Sequence, residues 1–291
     1  MTTTAFALVI LAALIHASWN IVAKKASGGA LFVTLNVWIS TVFYAPVFAL
    51  YVCWYPPTLG WRELALLVFS GALHLGYSLV LQRGYQKHDL TVVYPVARGT
   101  GPLLSSVFAI VVLGEHVTLY SALGIACIVI GIFILAGARH ILRMPRENRA
   151  EQMGGVAYGA MTGLMIAAYT LVDGYGIKYL LIAPLVLDYV CNVVRAVFVA
   201  PMAWHRRDEL RVEWQRNGRY ALFIGIISPI SYVLVLYAMQ TAPISSVAPM
   251  RELSMVFATF LGAKLLGEGH RGERMVGAAL MALGVWGLMH G

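Results

Sequence analysis

Tyr94-Pro95-Val96-Ala97-Arg98-Gly99-Thr100-Gly101-Pro102 sets an arginine inside a run that is otherwise apolar enough to cross a membrane. An uncompensated arginine near the centre of a bilayer helix costs about 3 kcal/mol or more, so it is expected to face a partner, a ligand or a wet cavity. The feature returns at Pro249-Met250-Arg251-Glu252, and the two arginines lie 153 residues apart. The fold must bring these two segments to places where charge is tolerated.

The composition around them is that of an integral membrane protein. The 291 residues are 60% hydrophobic and 12% charged, against about 25% charged in a soluble domain. The formal net charge of +8 comes from short Lys/Arg clusters between apolar runs, where such clusters set topology against anionic lipid rather than bind nucleic acid. Cys53, Cys127 and Cys191 are far apart and form no CxxC or Cys/His spacing, so neither a disulfide framework nor a zinc site is indicated. The first apolar run follows Met1-Thr2-Thr3-Thr4 with no basic segment and contains His16 and Asn20. It is expected to remain as a first helix rather than to be cleaved as a signal peptide.

A hydrocarbon core about 30 Å thick takes roughly 20 apolar helical residues, with every backbone group satisfied internally. Ten runs qualify, near 4–23, 31–54, 63–84, 91–113, 118–137, 153–174, 182–204, 219–239, 244–262 and 274–290. The alternation of a membrane β-barrel is missing, so the predicted class is all-α with ten transmembrane helices. Two connections are long and charged, Arg139 to Glu151 and His205 to Arg219. The first divides the chain.

The halves repeat. A gapless shift of 153 superimposes Arg98 on Arg251, Gly114-Glu115 on Gly267-Glu268, Gly124 and Gly131 on Gly277 and Gly284, His16 on Tyr169 and Asn20 on Asp173. Five spans per copy is an odd number, so the second copy enters the membrane inverted, which is a pattern of secondary transporters with a midplane site between repeats. The expected division is 1–138 for the first repeat, 139–152 for a charged linker and 153–291 for the second repeat. Sixteen of the 21 Lys and Arg fall in connections after odd-numbered helices, and only Arg62 and Lys178 fall in the others. By the positive-inside rule both termini face outward.

Polar residues within the spans are the candidate functional groups. His16, Trp19 and Asn20 occupy the first helix, and His16 and Asn20 share a face at spacing four. His74, Ser78 and Gln82 form a stripe on the third helix beside Tyr77. Pro229 and Tyr232 occupy the eighth helix, where a proline frees a carbonyl and favours a bend. Asp188, Asn192 and Arg195 lie at i, i+4 and i+7 on the seventh helix, as an ion-pair ladder bridged by Asn or with Asp188 turned to an arginine elsewhere. Helices four and nine are the best candidates for substrate contact. A guanidinium offers a planar fork of donors for carboxylate or phosphate, and Glu252 could take an ammonium group or a proton. Glu252 is expected to point about 100° away from Arg251 around a helix. Gly99, Gly101 and Pro102 make continuous helix after Arg98 unfavourable, so a broken or bent helix is expected there, with Pro229 and Pro249 as further gating positions. Tyr94, Tyr169 and Tyr232 add aromatic surface. The predicted substrate-contact set is therefore His16, Trp19, Asn20, His74, Tyr77, Ser78, Tyr94, Arg98, Tyr169, Asp188, Tyr232, Arg251 and Glu252, with no metal and no cofactor.

The chain resembles the EamA-like drug/metabolite transporters over nearly its whole length. The resemblance rests on Ser18-Trp19-Asn20-Ile21-Val22-Ala23-Lys24, on Thr91-Val92-Val93-Tyr94-Pro95 and Ile244-Ser245-Ser246-Val247-Ala248-Pro249, and on Leu-Gly-Glu at 113–115 and 266–268. It implies a ten-helix carrier that moves small metabolites, foremost amino acids including aromatic and neutral ones, outward across a bacterial inner membrane. A monomer suffices for such transport, and the partners are a small-molecule substrate and membrane lipid. Such carriers are usually drawn with both termini cytoplasmic, the reverse of the charge count. The competing readings are a membrane enzyme acting on a lipid or isoprenoid phosphate, for which no HExxH, nucleophile elbow or paired acidic metal motif is found, and a receptor or channel, for which no sensor domain or filter loop is found.

Overall fold

The computed structural model of the chain describes residues 1–26, 29–135, 149–258 and 271–290. They form helices α1 (Thr3–Ala26), α2 (Ala30–Trp54), α3 (Trp61–Lys87), α4 (Leu90–Leu113), α5 (Leu119–Leu135), α6 (Arg149–Lys178), α7 (Pro184–His205), α8 (Arg207–Thr241), α9 (Ile244–Arg251) and α10 (Arg271–His290), and no described residue is in a strand. Helices α1 to α4 and α6 to α8 are long and apolar enough to cross a membrane, whereas α5 and the Met275–His290 part of α10 are apolar but shorter. The architecture is the expected ten-helix, two-repeat one. Most of the expected linker and the Gly267-Glu268 motif lie outside the described residues.

Two expectations about the helices fail. The charged segment between the seventh and eighth spans is not a long connection, because α8 starts at Arg207 and runs 35 residues, about 50 Å at 1.5 Å per residue. Asp208 and Glu209 occupy its first turn, where carboxylates are favoured by the helix dipole. Of the broken or bent helix expected after Arg98, the break is missing, since α4 runs unbroken through Pro95, Gly99, Gly101 and Pro102. Its glycines serve close packing instead. A Cβ on Gly99 would meet the Phe133 ring of α5 at 2.4 Å, and one on Gly101 would meet Ile166 of α6 at 2.9 Å. The break occurs in the second copy. There α9 ends at Arg251, and Glu252 takes a turn with φ −74° and ψ −2° before helix resumes over 253–258.

Exchange of the halves maps α1 to α5 onto α6 to α10 in order, and the packing obeys it. Helix α1 lies on α8 as α6 lies on α3, and α2 lies on α8 as α7 lies on α3, while α2 with α7, α4 with α9 and α5 with α10 meet about the pseudo-axis. The repeat-related glycines make the α5–α10 contact. A Cβ on Gly284 would lie 2.5 Å from the Gly124 carbonyl, and one on Gly131 would lie 2.7 Å from the Gly277 carbonyl. Small residues permit this approach of backbones in a membrane, where apolar side chains gain little by leaving lipid. A second stripe, Gly155, Gly159 and Gly163 of α6, admits Val92, Val96 and Thr100 of α4.

Gly284→Val is expected to lower stability by about 1–3 kcal/mol, the usual cost of overpacking. Gly272→Ala, where a Cβ meets nothing within 4 Å, is the matched control and should not. Thermal unfolding in detergent distinguishes the two, and an unchanged midpoint for Gly284→Val contradicts the close-packed axis.

Candidate functional site

Between the halves lies a cavity of about 260 Å³ with walls from α1, α2, α3, α4, α6, α7, α8 and α9. Its lining includes ten of the predicted residues, His16, Trp19, His74, Tyr77, Ser78, Arg98, Tyr169, Asp188, Tyr232 and Arg251, together with Pro229. Asn20 and Tyr94 do not line it. Tyr94 instead lies against Arg98, whose guanidinium carbon is 5.7 Å from the ring. Glu252 also stands behind the lining and is 1% exposed. The lining reaches from Asp188 and Tyr169 to Ala23, Phe32, Leu81, Gln82 and Ile224. The first four of these last five lie toward the ends of α1, α2 and α3 that carry Lys25 and Lys87 or adjoin them.

Arg98 and Arg251 are 8% and 5% exposed, and one carboxylate serves both. Arg98 Nη1 donates to Glu252 Oε2 at 3.2 Å and Oε1 at 3.4 Å, and Arg251 Nε stands 3.7 Å from Oε1. Arg251 Nη2 donates to the Tyr169 hydroxyl at 3.3 Å. The sequence expectation that Glu252 turns away from Arg251 is corrected here, because residue 252 does not continue an α-helix. Its N–H reaches back to the Pro249 carbonyl at 3.1 Å, and Met255 N–H reaches the Glu252 carbonyl at 2.9 Å. These i to i+3 bonds tighten the backbone, and the long side chains of Glu252, Arg98 and Arg251 meet across it. Two cations against one carboxylate leave this end of the cavity with an excess positive charge.

A second carboxylate, Asp173, is fully buried behind the lining. Ser70 Oγ donates to Oδ1 and the Tyr232 hydroxyl to Oδ2, and His74 Nε2 lies 2.9 Å from Oδ2. His74 stacks on Tyr169 with centroids 4.0 Å apart, and Tyr232 meets His74 edge-on at 5.3 Å. The Tyr169–His74 stack thus lies between Arg251, which bonds the Tyr169 hydroxyl, and Asp173, which contacts His74. A third group is the α7 ladder. Asn192 Nδ2 donates to Asp188 Oδ2 at 3.1 Å, and Arg195 Nη1 donates to Asn192 Oδ1 at 3.1 Å. Asn192 bridges the two charges, one of the two arrangements expected from the spacing.

Asp173 was reachable from the sequence only as the repeat partner of Asn20, Ser228 was legible beside Pro229 on the eighth helix, and Asn36 and Cys191 of the lining carried no signal above ordinary helix polarity. Half of the ten buried side-chain atoms without a hydrogen-bond partner among the described residues belong to the lining: His16 Nε2, Trp19 Nε1, Asn36 Oδ1, Arg195 Nε and Arg251 Nε. Buried polar atoms are normally satisfied, so their concentration marks the place where water or a ligand completes the site.

Two of the helix prolines are compensated across the bundle. Pro229 removes the donor for the Gly225 carbonyl, which instead accepts from Ser40 Oγ at 2.6 Å. Pro249 does the same to the Ser245 carbonyl, which accepts from Ser106 Oγ at 2.8 Å. A smaller cavity of about 180 Å³ between α2, α7 and α8 shares Asp188 and Pro229 with the main one and is otherwise lined by apolar and aromatic residues. No group of three His, Cys, Asp or Glu among the described residues could hold a metal ion.

Residues 3–137 and 153–289 each match the model of the EamA-like transporter family. No curated protein matches the sequence. A solved crystal structure of a protein superposes with a TM-score of 0.75 at 16% identity, covering 100% of this chain and 98% of the other. That likeness is one of fold.

Proposed function

Because the chain belongs to the EamA-like transporter family, we propose that it carries zwitterionic amino acids, including neutral and aromatic ones, across a bacterial inner membrane by alternating access. The observation that carries the reading is the polarised cavity between the repeats. Arg98 and Arg251 outnumber Glu252 on one wall, Asp188 belongs to the lining on another, and Asp173 lies buried behind the lining against His74. A substrate carboxylate satisfies the free guanidinium donors, its ammonium faces the Asp188 carboxylate of the lining, and its side chain packs on the aromatic wall. The unpartnered Trp19 N–H and His16 Nε2 add orienting contacts. The cavity volume of about 260 Å³ suits a small metabolite rather than a drug-sized molecule.

Export as the direction of transport rests on the family resemblance alone. The lining extends toward the face of Lys25, Lys87 and Arg206, which the positive-inside rule makes cytoplasmic, with both termini outward. The two halves, 1–138 and 153–291, would rock about the linker 139–152.

Counterflow of radiolabelled phenylalanine or leucine into proteoliposomes loaded with the unlabelled amino acid tests the reading. Accumulation is expected, and its absence across neutral, aromatic and charged amino acids rejects this substrate class. Substrate turnover without vectorial movement would favour a membrane enzyme. Labelling of Lys25→Cys and Arg62→Cys by an impermeant thiol reagent in the same cells fixes orientation, with Arg62→Cys expected to react from outside.

A further inference from the structure

At the face opposite the cavity's Lys/Arg-rich end, one side chain of the first half holds the second half. Helix α4 ends at Leu113, and Gly114 adopts φ +68°, a left-handed turn that glycine makes without strain. The turn is fixed by the Glu115 N–H, which donates to the Ala109 carbonyl at 3.2 Å, and it directs the Glu115 side chain across the pseudo-axis. The carboxylate accepts from Ile244 N–H at 2.7 Å and Ser245 N–H at 2.9 Å, the first turn of α9, and from Lys178 Nζ at 3.2 Å at the end of α6. The Tyr179 hydroxyl adds a bond to the Leu113 carbonyl at 3.4 Å.

These contacts gather on one carboxylate at the close of the bundle. Helix α9 has no side-chain cap of its own and begins after Pro243, so its free N–H groups take their acceptor from 129 residues away. Burial raises the Glu115 carboxyl, but the Ser245 and Ile244 donors and the Lys178 ammonium outweigh it and hold the group below the usual carboxylate range. It is therefore ionised at neutral pH, when its bonds to the N–H groups are charge-assisted. Helix α9 is eight residues long, about 12 Å at 1.5 Å per residue. Its first turn is fastened by Glu115, and its last residue is Arg251, followed by Glu252.

We propose that Glu115 is a positioning residue of the transport cycle. Its carboxylate fastens α9 and α6 of the second half to the α4–α5 connection of the first, keeping the cavity closed at that face while Arg251 and Glu252 are seated at the site. Opening of that face requires the carboxylate to release Ile244, Ser245 and Lys178. The sequence writes the same parts a second time. The offset of 153 carries Glu115 onto Glu268, Lys178 onto Lys25 and Ile244-Ser245 onto Thr91-Val92, of which Glu268 lies outside the described residues.

The inference rests on the alternating-access reading, and its test separates the two. Ser228→Cys, in a Cys53→Ser, Cys127→Ser, Cys191→Ser background, places a reporter thiol in the cavity wall, and an impermeant methanethiosulfonate is applied separately to each face of sealed vesicles. Glu115→Gln is expected to raise labelling from the face of the 114–118 connection about tenfold or more, the factor for losing one charge-assisted hydrogen bond. Lys178→Met is expected to raise it less, and Glu115→Asp to restore closure in part. Glu115→Ala should give the largest rise; if it does not fold, the Gln and Met variants decide. Unchanged labelling from that face in folded Glu115→Gln overturns the role of Glu115. Equal, substrate-insensitive labelling from both faces of the Ser228→Cys reporter alone overturns alternating access instead.

Discussion

Glu252→Ala is expected to destabilise the folded protein by about 3–5 kcal/mol, the cost of removing one partner from a buried ion pair and leaving its counterpart uncompensated. The substitution strands two guanidiniums at once. Arg98 loses both of its carboxylate contacts, at 3.2 and 3.4 Å, and Arg251 loses the charge 3.7 Å from its Nε. Only the Tyr169 hydroxyl then remains as a described hydrogen-bond acceptor for Arg251. Thermal unfolding in detergent measures the loss, and Glu252→Gln should fall between wild type and Ala because its amide keeps one acceptor oxygen. The double variant Arg98→Met/Glu252→Ala should recover part of the midpoint, since replacing both partners removes the unpaired charge. A wild-type midpoint for Glu252→Ala would show that the arginines find other compensation and that the carboxylate does not hold this end of the cavity together.

Such an effect was half legible in the sequence, and the division follows a physical line. Charge and polarity inside apolar runs are costly enough to be visible one residue at a time, so Arg98, Arg251, Asp188, His16 and the His74–Ser78–Gln82 stripe could be singled out. The structure brings all of them to one cavity. The periodic offset of 153 likewise foreshadowed the packing of Gly124 on Gly284 and Gly131 on Gly277, because a repeat places equivalent residues about one axis. What depends on backbone departure from ideal helix was not legible. Helix α9 ends at Arg251 and Glu252 takes a turn with i to i+3 bonds after Pro249, and a helical wheel, which shows directions and not side-chain reach, hides the contacts its carboxylate makes with both arginines. The unbroken α4 has the opposite cause. Glycine and proline propensities argued for a break, but tight packing against Phe133 and Ile166 favours the regular helix, and tertiary contact overrides local preference. Long-range satisfaction of single groups was equally hidden. Nothing near Glu115 in sequence indicates that its carboxylate serves Ile244 and Ser245, or near Ser40 that its hydroxyl serves the carbonyl freed by Pro229. Charged residues misled once more at 207–219, where they continue α8 beyond the bilayer rather than form a loop.

Arg98→Ala and Arg251→Ala are each expected to lower transport efficiency by about 10- to 100-fold while the protein still inserts and folds, which is the loss of one or two hydrogen bonds to a charged group. Folding survives because Glu252 keeps one arginine in either variant, and the excess positive charge of that end is removed rather than exposed. The two losses should differ in kind. Arg98 carries the closer contacts with Glu252, so Arg98→Ala frees the carboxylate to compete for Arg251 and should raise the KM for a carboxylate substrate most. Arg251 also bonds Tyr169, which stacks on His74, so Arg251→Ala loosens the aromatic wall of the cavity and should lower the maximal rate as well. Arg98→Lys keeps the charge but loses the planar fork, and it should recover only part of the activity. Initial rates of radiolabelled amino-acid uptake into proteoliposomes, normalised to protein that elutes as a single species in detergent, separate KM from maximal rate. Normal transport by either alanine variant would exclude that arginine from the carboxylate site, and aggregation of both would place the pair in the fold alone. Retained folding with lost transport in both is the outcome that the shared carboxylate requires, because a structure needing only charge balance would be served by a single pair.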